Sequence, residues 1–158
     1  MPKLSYKKRA FTLIEMLVTL TILAILASAI MPLAKISAKR EKEIELRRSL
    51  RMIREAIDAY KKLSDEGKIK VVEKSEGYPP DLKTLVEGVE VDKRDKKTTK
   101  IIKLLRRIPK DVMTNSYDWG LRSYQDDPDS EFWGGENVYD VYTKSRGQAL
   151  DKTYYKDW

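Results

Sequence analysis

The chain of 158 residues contains no cysteine and no histidine. Disulfides, thiol nucleophiles, zinc sites of the usual type and imidazole acid–base catalysis are thereby excluded. An enzyme built from this sequence would have to work with Asp, Glu, Lys or Tyr alone, and no paired carboxylates sit in a recognisable catalytic setting. We expect a protein that is not an enzyme. Charge is also missing, in one place: from Phe11 to Ala34 the only charged residue is Glu15.

That run is long enough to matter. At about 1.5 Å rise per residue it makes roughly 36 Å of helix, against a hydrocarbon core of about 30 Å. A buried core helix of this uniformity would need a large domain around it, and the rest of the chain is too polar to supply one. A cleaved secretory signal fits poorly, because its apolar region is usually about 7 to 15 residues long and ends in a small-residue cleavage site. The run therefore reads as a membrane span. Glu15 is its anomaly: an acid at the centre of such a helix costs roughly 2.5 to 3.5 kcal/mol on insertion scales, less near an end, and usually marks a partner or a function. The plainer alternative is that Glu15 snorkels to the headgroups, where a carboxylate also suits the positive end of the helix dipole.

Taken together, Lys7-Lys8-Arg9-Ala10-Phe11-Thr12-Leu13-Ile14-Glu15-Met16-Leu17-Val18 resembles the class III signal sequence of type IV pilins and type II secretion pseudopilins. The resemblance implies that a prepilin peptidase cuts between Ala10 and Phe11 and methylates the new amine of Phe11. The family usually has Gly where this chain has Ala10. It further implies that Glu15, the fifth residue after the cut, meets the N-terminal amine of a neighbouring subunit inside an apolar bundle. An unpaired charge there is costly, so the pair would act chiefly as a gauge of register. Pro32 falls where many members have a helix-bending proline. The missing cysteines favour a major pseudopilin, since pilins commonly close their C-terminal loop with a disulfide.

The net charge of +7 is less informative than it looks. Lys3, Lys7, Lys8 and Arg9 carry four of those charges, so loss of residues 1 to 10 leaves +3, which is weak support for a nucleic-acid partner. We expect none. Basic residues flank both ends of the span, with Lys35, Lys39, Arg40 and Lys42 beyond it, so counting Lys and Arg does not fix its orientation. The resemblance does, placing the leader in the cytoplasm and the rest in the periplasm.

Beyond Pro32 the pattern becomes amphipathic. Leu46, Leu50, Ile53, Ile57 and Tyr60 recur at helical spacing, while Lys42, Arg47, Arg48, Arg54 and Lys61 take other faces. The helix should continue through Pro32 with a bend or local loosening. Pairs such as Lys39 with Glu43 add a few tenths of a kcal/mol. Its charged face is either solvated or meets neighbouring subunits around a filament axis. Asp65-Glu66-Gly67 should end it. Gly77-Tyr78-Pro79-Pro80-Asp81 reads as a turn feeding a short helix with Leu82, Leu85 and Val86 inside. A Tyr-Pro turn of this kind also resembles the family.

From Asp92 to Arg107 the chain is strongly basic. An anionic surface could bind there, but Ile101, Leu104, Leu105 and Ile108 have helical spacing, which predicts another short helix with a solvated basic side. Residues 117–124 and 137–143 read as strands, joined by a turn-rich loop. Their Tyr139-Asp140-Val141-Tyr142 resembles the second strand of the C-terminal sheet of major pseudopilins. The aromatics Tyr117, Trp119, Tyr124, Phe132, Trp133, Tyr139 and Tyr142 read either as core and rim of that sheet or as an exposed platform.

One cluster invites metal chemistry. Asp126, Asp127, Asp129 and Glu131 are hard oxygen donors of the kind calcium prefers, with Asp151 a further candidate. Major pseudopilins bind calcium through acids after the second strand, where this chain has Thr143-Lys144-Ser145-Arg146-Gly147-Gln148. An acidic surface turn is the alternative.

The expected architecture is α+β and pilin-like, with a long N-terminal helix packed on a small C-terminal antiparallel sheet. Residues 1–10 form the leader, 11–34 the transmembrane and assembly helix, 35–66 its amphipathic continuation and 67–158 a small globular head. The implied function is that of a single-pass inner-membrane subunit that polymerises into a type II secretion pseudopilus. The implied partners are its own copies, the prepilin peptidase, minor pseudopilins and an inner-membrane assembly platform. The rivals are a type IV pilin or competence-type subunit and a membrane-anchored binding module.

Overall fold

A computed structural model describes residues 11–92 and 99–158. The leader and the basic stretch 93–98 lie outside the described residues. Two compact units divide the chain, Met1–Lys39 and Arg40–Trp158. One helix, α1 (Leu13–Asp65, 53 residues), belongs to both.

In the first unit, Thr12 starts the helix. Its hydroxyl oxygen accepts from the Glu15 N–H at 3.3 Å and its carbonyl from the Met16 N–H at 3.1 Å, so two N–H groups of the first turn are satisfied. Within the apolar stretch, the hydroxyls of Thr19, Thr21 and Ser28 donate to the carbonyls of Met16, Leu17 and Ile25 at 2.9, 2.8 and 2.7 Å. Beyond the capping Thr12, the uncharged polar side chains of the run are thus turned onto their own helix, which suits a medium without water. Pro32 lies inside α1 and does not end it.

The second unit is built on the other half of α1. Leu46, Leu50, Ile53, Ile57 and Tyr60 are all buried, the stripe that their spacing predicts. The helix ends where Gly67, with φ +64°, donates to the Ser64 carbonyl and Lys68 donates to the Leu63 carbonyl. These two bonds form a Schellman cap, in which the left-handed residue favours glycine. The short helix α2 (Leu82–Glu87) is capped by Asp81, whose carboxylate accepts from the backbone and the hydroxyl of Thr84 at 2.7 and 2.8 Å.

Two small antiparallel sheets follow. Strands β1 (Val89–Asp92) and β2 (Thr99–Ile102) pair with Val89 opposite Ile102 and Val91 opposite Lys100. This corrects the helix expected from Ile101, Leu104, Leu105 and Ile108. Ile101 belongs to β2 and is exposed, while Leu105 alone of the four is fully buried. Local alternation in Val89-Glu90-Val91 offers a strand partner for β-branched Thr99, Ile101 and Ile102. The Leu85 carbonyl then takes the N–H groups of both Leu104 and Leu105, and Pro109 disfavours helix at the residue before it.

Strands β3 (Gly120–Arg122) and β4 (Asp140–Tyr142) form the second sheet, shorter than the expected strands and within their bounds. Gly120 is opposite Tyr142, and a Cβ there would stand 2.3 Å from the tyrosine ring. Trp119, Val138, Val141, Ala149 and Tyr155 join Leu85, Leu105 and the α1 stripe in one core. The architecture is thus α+β, with a long N-terminal helix and, among the described residues, two two-stranded sheets.

Candidate assembly site

Among the described residues, the first unit presents an exposed apolar surface. Its most apolar stretch has a mean hydropathy of 2.4 and none of it is buried within the molecule. Phe11 is 71% exposed, and Leu13, Ile14, Leu17 and Leu20 are bare as well. Glu15 sits in the first turn of α1, its backbone N–H bonded to Thr12. Ala10 lies outside the described residues. A helix this long and apolar can cross a bilayer, and a surface of this kind requires either lipid or other protein around it.

The sequence comparisons meet this geometry at the same place. Residues 5–31 match the family model described as the prokaryotic N-terminal methylation motif. This segment is pilin-like. The motif indicates a type IV pilin-like protein, and it implies processing by a prepilin peptidase and assembly into a filament. It covers the region around Ala10, Phe11 and Glu15 and ends just before Pro32, so the second unit lies outside the match. Comparisons with curated proteins and with solved structures give no match to this chain.

The pilin-like segment contains one local signal that the sequence reading passed over. Thr12-Leu13-Ile14-Glu15 has the spacing of a capping box, and the threonine half of the box is made. The acid that an apolar helix would otherwise exclude therefore occupies a position where helix starts favour a carboxylate.

The five candidate metal-ligating acids are not brought together. Asp126 turns inward, accepting from the N–H groups of Ser123 at 2.6 Å and Gly134 at 3.1 Å. Those two bonds hold its carboxyl below the usual range. Glu131 pairs with Lys156 at 2.8 Å, and that ammonium lowers its pKa. Asp151 accepts from the hydroxyl and the N–H of Thr153 at 2.6 and 3.0 Å, which lowers its pKa, and lies 3.7 Å from Arg47. Asp127 and Asp129 are exposed. Among the described residues, no group of three or more acids is placed to hold a metal ion.

The charges of α1 divide between two roles. Arg54 donates to both carboxylate oxygens of Asp140 at 2.6 and 3.2 Å, to the Val141 carbonyl at 3.1 Å and to the backbone oxygen of Trp158 at 2.7 Å. Glu43 accepts from the Leu150 N–H at 2.9 Å and the Tyr155 hydroxyl at 3.0 Å. Burial first, and then the Glu43 carboxylate, push the Tyr155 hydroxyl up to about 12. These side chains tie the C-terminal segment to α1. Arg48 and Lys42 are exposed. Sequence spacing separated the apolar from the charged faces, but it could not say which charges meet their own chain, because the partners lie about a hundred residues away.

The aromatics also divide. Trp119 and Tyr142 are buried, the former donating through Nε1 to the Pro109 carbonyl at 2.9 Å. Tyr124 and Tyr139 are exposed; Tyr124 stacks on Tyr78 and Tyr139 meets both rings edge-on, with ring centroids 5.1 to 5.8 Å apart. Phe132, at 86%, is more exposed than any other large apolar side chain described, those of the membrane segment included.

Proposed function

We propose that this chain is a structural subunit, without enzymatic activity, of a type II secretion pseudopilus. Held in the inner membrane by its first unit, it is cut before Phe11, methylated there and passed to an inner-membrane assembly platform. It then polymerises with its own copies and with minor pseudopilins in the periplasm. The filament pushes exported proteins through an outer-membrane channel.

One observation carries this reading: a methylation motif runs directly into an apolar helix surface that is exposed throughout among the described residues. Lipid covers that surface before assembly, and the equivalent surface of neighbouring copies covers it afterwards. Because lipid tails are as apolar as Leu, the exchange gains little from the hydrophobic effect and rests on close packing and on the pairing of Glu15 with an amine. The choice of a pseudopilus over a surface pilus is supported by the absence of cysteine.

Deleting the gene in its own host tests the choice. A pseudopilus subunit predicts that exported enzymes accumulate in the periplasm while surface fibres are unchanged. Normal export with loss of surface fibres would contradict it and point to a true pilus.

A further inference from the structure

The second unit presents two surfaces of opposite character that its own side chains leave open. The first is a cleft of about 430 Å³ between α1 and the segment after β2. Met52, Ile108 and Tyr117 give it apolar walls, and Arg48, Arg107 and Lys110 surround them, with Glu45 the one acid present. Its net charge is therefore positive. Met52 and Tyr117 are exposed although both are large and apolar. The second surface is the loop between β3 and β4. There Phe132 projects almost completely into solvent, and Asp127, Asp129 and Glu136 are exposed around it in sequence.

The two surfaces complement each other in sign and in polarity. Among the described residues, Arg48, Arg107 and Lys110 have no ion-pair partner, and neither do Asp127, Asp129 and Glu136. The loop is held in shape. Asp126 ties Ser123 to Gly134, the Ser130 hydroxyl and the Phe132 backbone bond each other, and Trp133 Nε1 donates to the Asn137 carbonyl at 2.7 Å. An aromatic anchor on a preformed loop loses little freedom on docking, and anchors of this kind dominate binding when an apolar pocket receives them.

We propose that the loop carrying Phe132 docks in the Met52–Tyr117 cleft of a second copy of this chain, with Asp127 and Asp129 facing its Arg107 and Lys110. Two different patches on each molecule make a head-to-tail contact, which propagates into a helix or ring and does not close as a dimer. The inference deepens the proposed function by giving the second units their own register contact, and it rests on that reading. The charges steer and orient the contact, while the phenylalanine supplies its core.

The absence of cysteine makes the test direct. The full chain with Val112→Cys in the cleft and Glu136→Cys in the loop, which keeps Phe132, Met52 and Tyr117 in place, assembled in cells with its processing and assembly machinery, should give a ladder of disulfide-linked multimers on oxidation. Either single variant should give none. Arg107→Glu with Lys110→Glu should weaken the ladder at least about fivefold, and Asp127→Lys with Asp129→Lys added to it should restore it. Sheared filaments are sedimented from the same cells. Filaments without a ladder, or a ladder indifferent to the charge reversals, would overturn the docking contact and leave the proposed function standing. No filaments from the unmodified chain would overturn both. Attachment of a thiol-reactive phosphatidylglycerol to Val112→Cys in place of the ladder would assign the cleft to a lipid surface.

Discussion

The two units of this chain put apolar side chains to opposite uses. In Arg40–Trp158, Leu46, Leu50, Ile53 and Ile57 are buried against the chain's own sheets and loops. In Met1–Lys39, Leu13, Leu17, Leu20 and Leu23 are exposed among the described residues. A single helix carries both sets. Helical periodicity is present in both, so what separates them is the width of the apolar surface: a stripe implies one buried face, and apolarity all round implies that something else is the solvent. The first unit offers an exposed apolar surface, and the second is a folded body.

That contrast is open to direct attack, beginning with the largest effect. Glu15→Ala should abolish filaments, a loss of at least about a hundredfold in sedimentable polymer if pairing is worth about 3 kcal/mol, while the thermal melting of the protein stays unchanged. Unimpaired assembly would remove the role given to Glu15. Next come matched truncations. Ile53→Ala should cost about 3 kcal/mol of unfolding free energy because it empties a fully buried site, whereas Leu20→Ala should leave that free energy within error of the parent. Equal losses in chemical denaturation would erase the distinction between the units.

Asp111 sharpens the comparison from inside the folded unit. It is fully buried, accepting from the Met113 N–H at 2.8 Å and from the hydroxyls of Thr114 and Thr143 at 2.9 and 2.5 Å. It joins the loop before β3 to the end of β4. Asp111→Ala should destabilise the protein by about 2 to 3 kcal/mol, since it strands the buried Thr143 hydroxyl and removes two further hydrogen bonds, and denaturant titration would show it. A smaller effect is expected at Tyr155. Its raised pKa favours the neutral hydroxyl in the folded state, so the stability it contributes is fully present below pH 10. That stability is lost between pH 10 and about 12, where the unfolded chain ionises first. Tyr155→Phe should remove this part of the alkaline loss, and parallel melts at pH 9 and pH 11 measure it. Smallest of all is the response to calcium. With Asp126, Glu131 and Asp151 each engaged by N–H, ammonium or hydroxyl groups, millimolar Ca²⁺ should move the melting temperature by less than about 1 °C. A rise of several degrees would establish a site in the acidic loop.

How much of this was legible in the sequence follows from the distance over which each feature is decided. The apolar run, the α1 stripe from Leu46 to Tyr60, the glycine terminator at Gly67 and the short helix after the Tyr78-Pro79-Pro80 turn depend on residues within one or two turns, and the sequence shows them plainly. The strands at Gly120–Arg122 and Asp140–Tyr142 were legible through alternation, although their length is set by pairing. The hairpin of β1 and β2 was misread because Ile101, Leu104, Leu105 and Ile108 satisfy a helical period by coincidence. The alternation at Val89-Glu90-Val91 was the competing signal. Arg54 with Asp140, Glu43 with Tyr155, and the exposure of Phe132 all depend on contacts across the fold, and periodicity contains no trace of them.

The central claim is that the first unit is a processed assembly device, and mass spectrometry of the protein purified from membranes of its host tests it most directly. The account predicts a chain that begins at Phe11 and carries one added methyl group at its amine. A chain that retains residues 1 to 10, in cells where other substrates of the peptidase are cut, would contradict it.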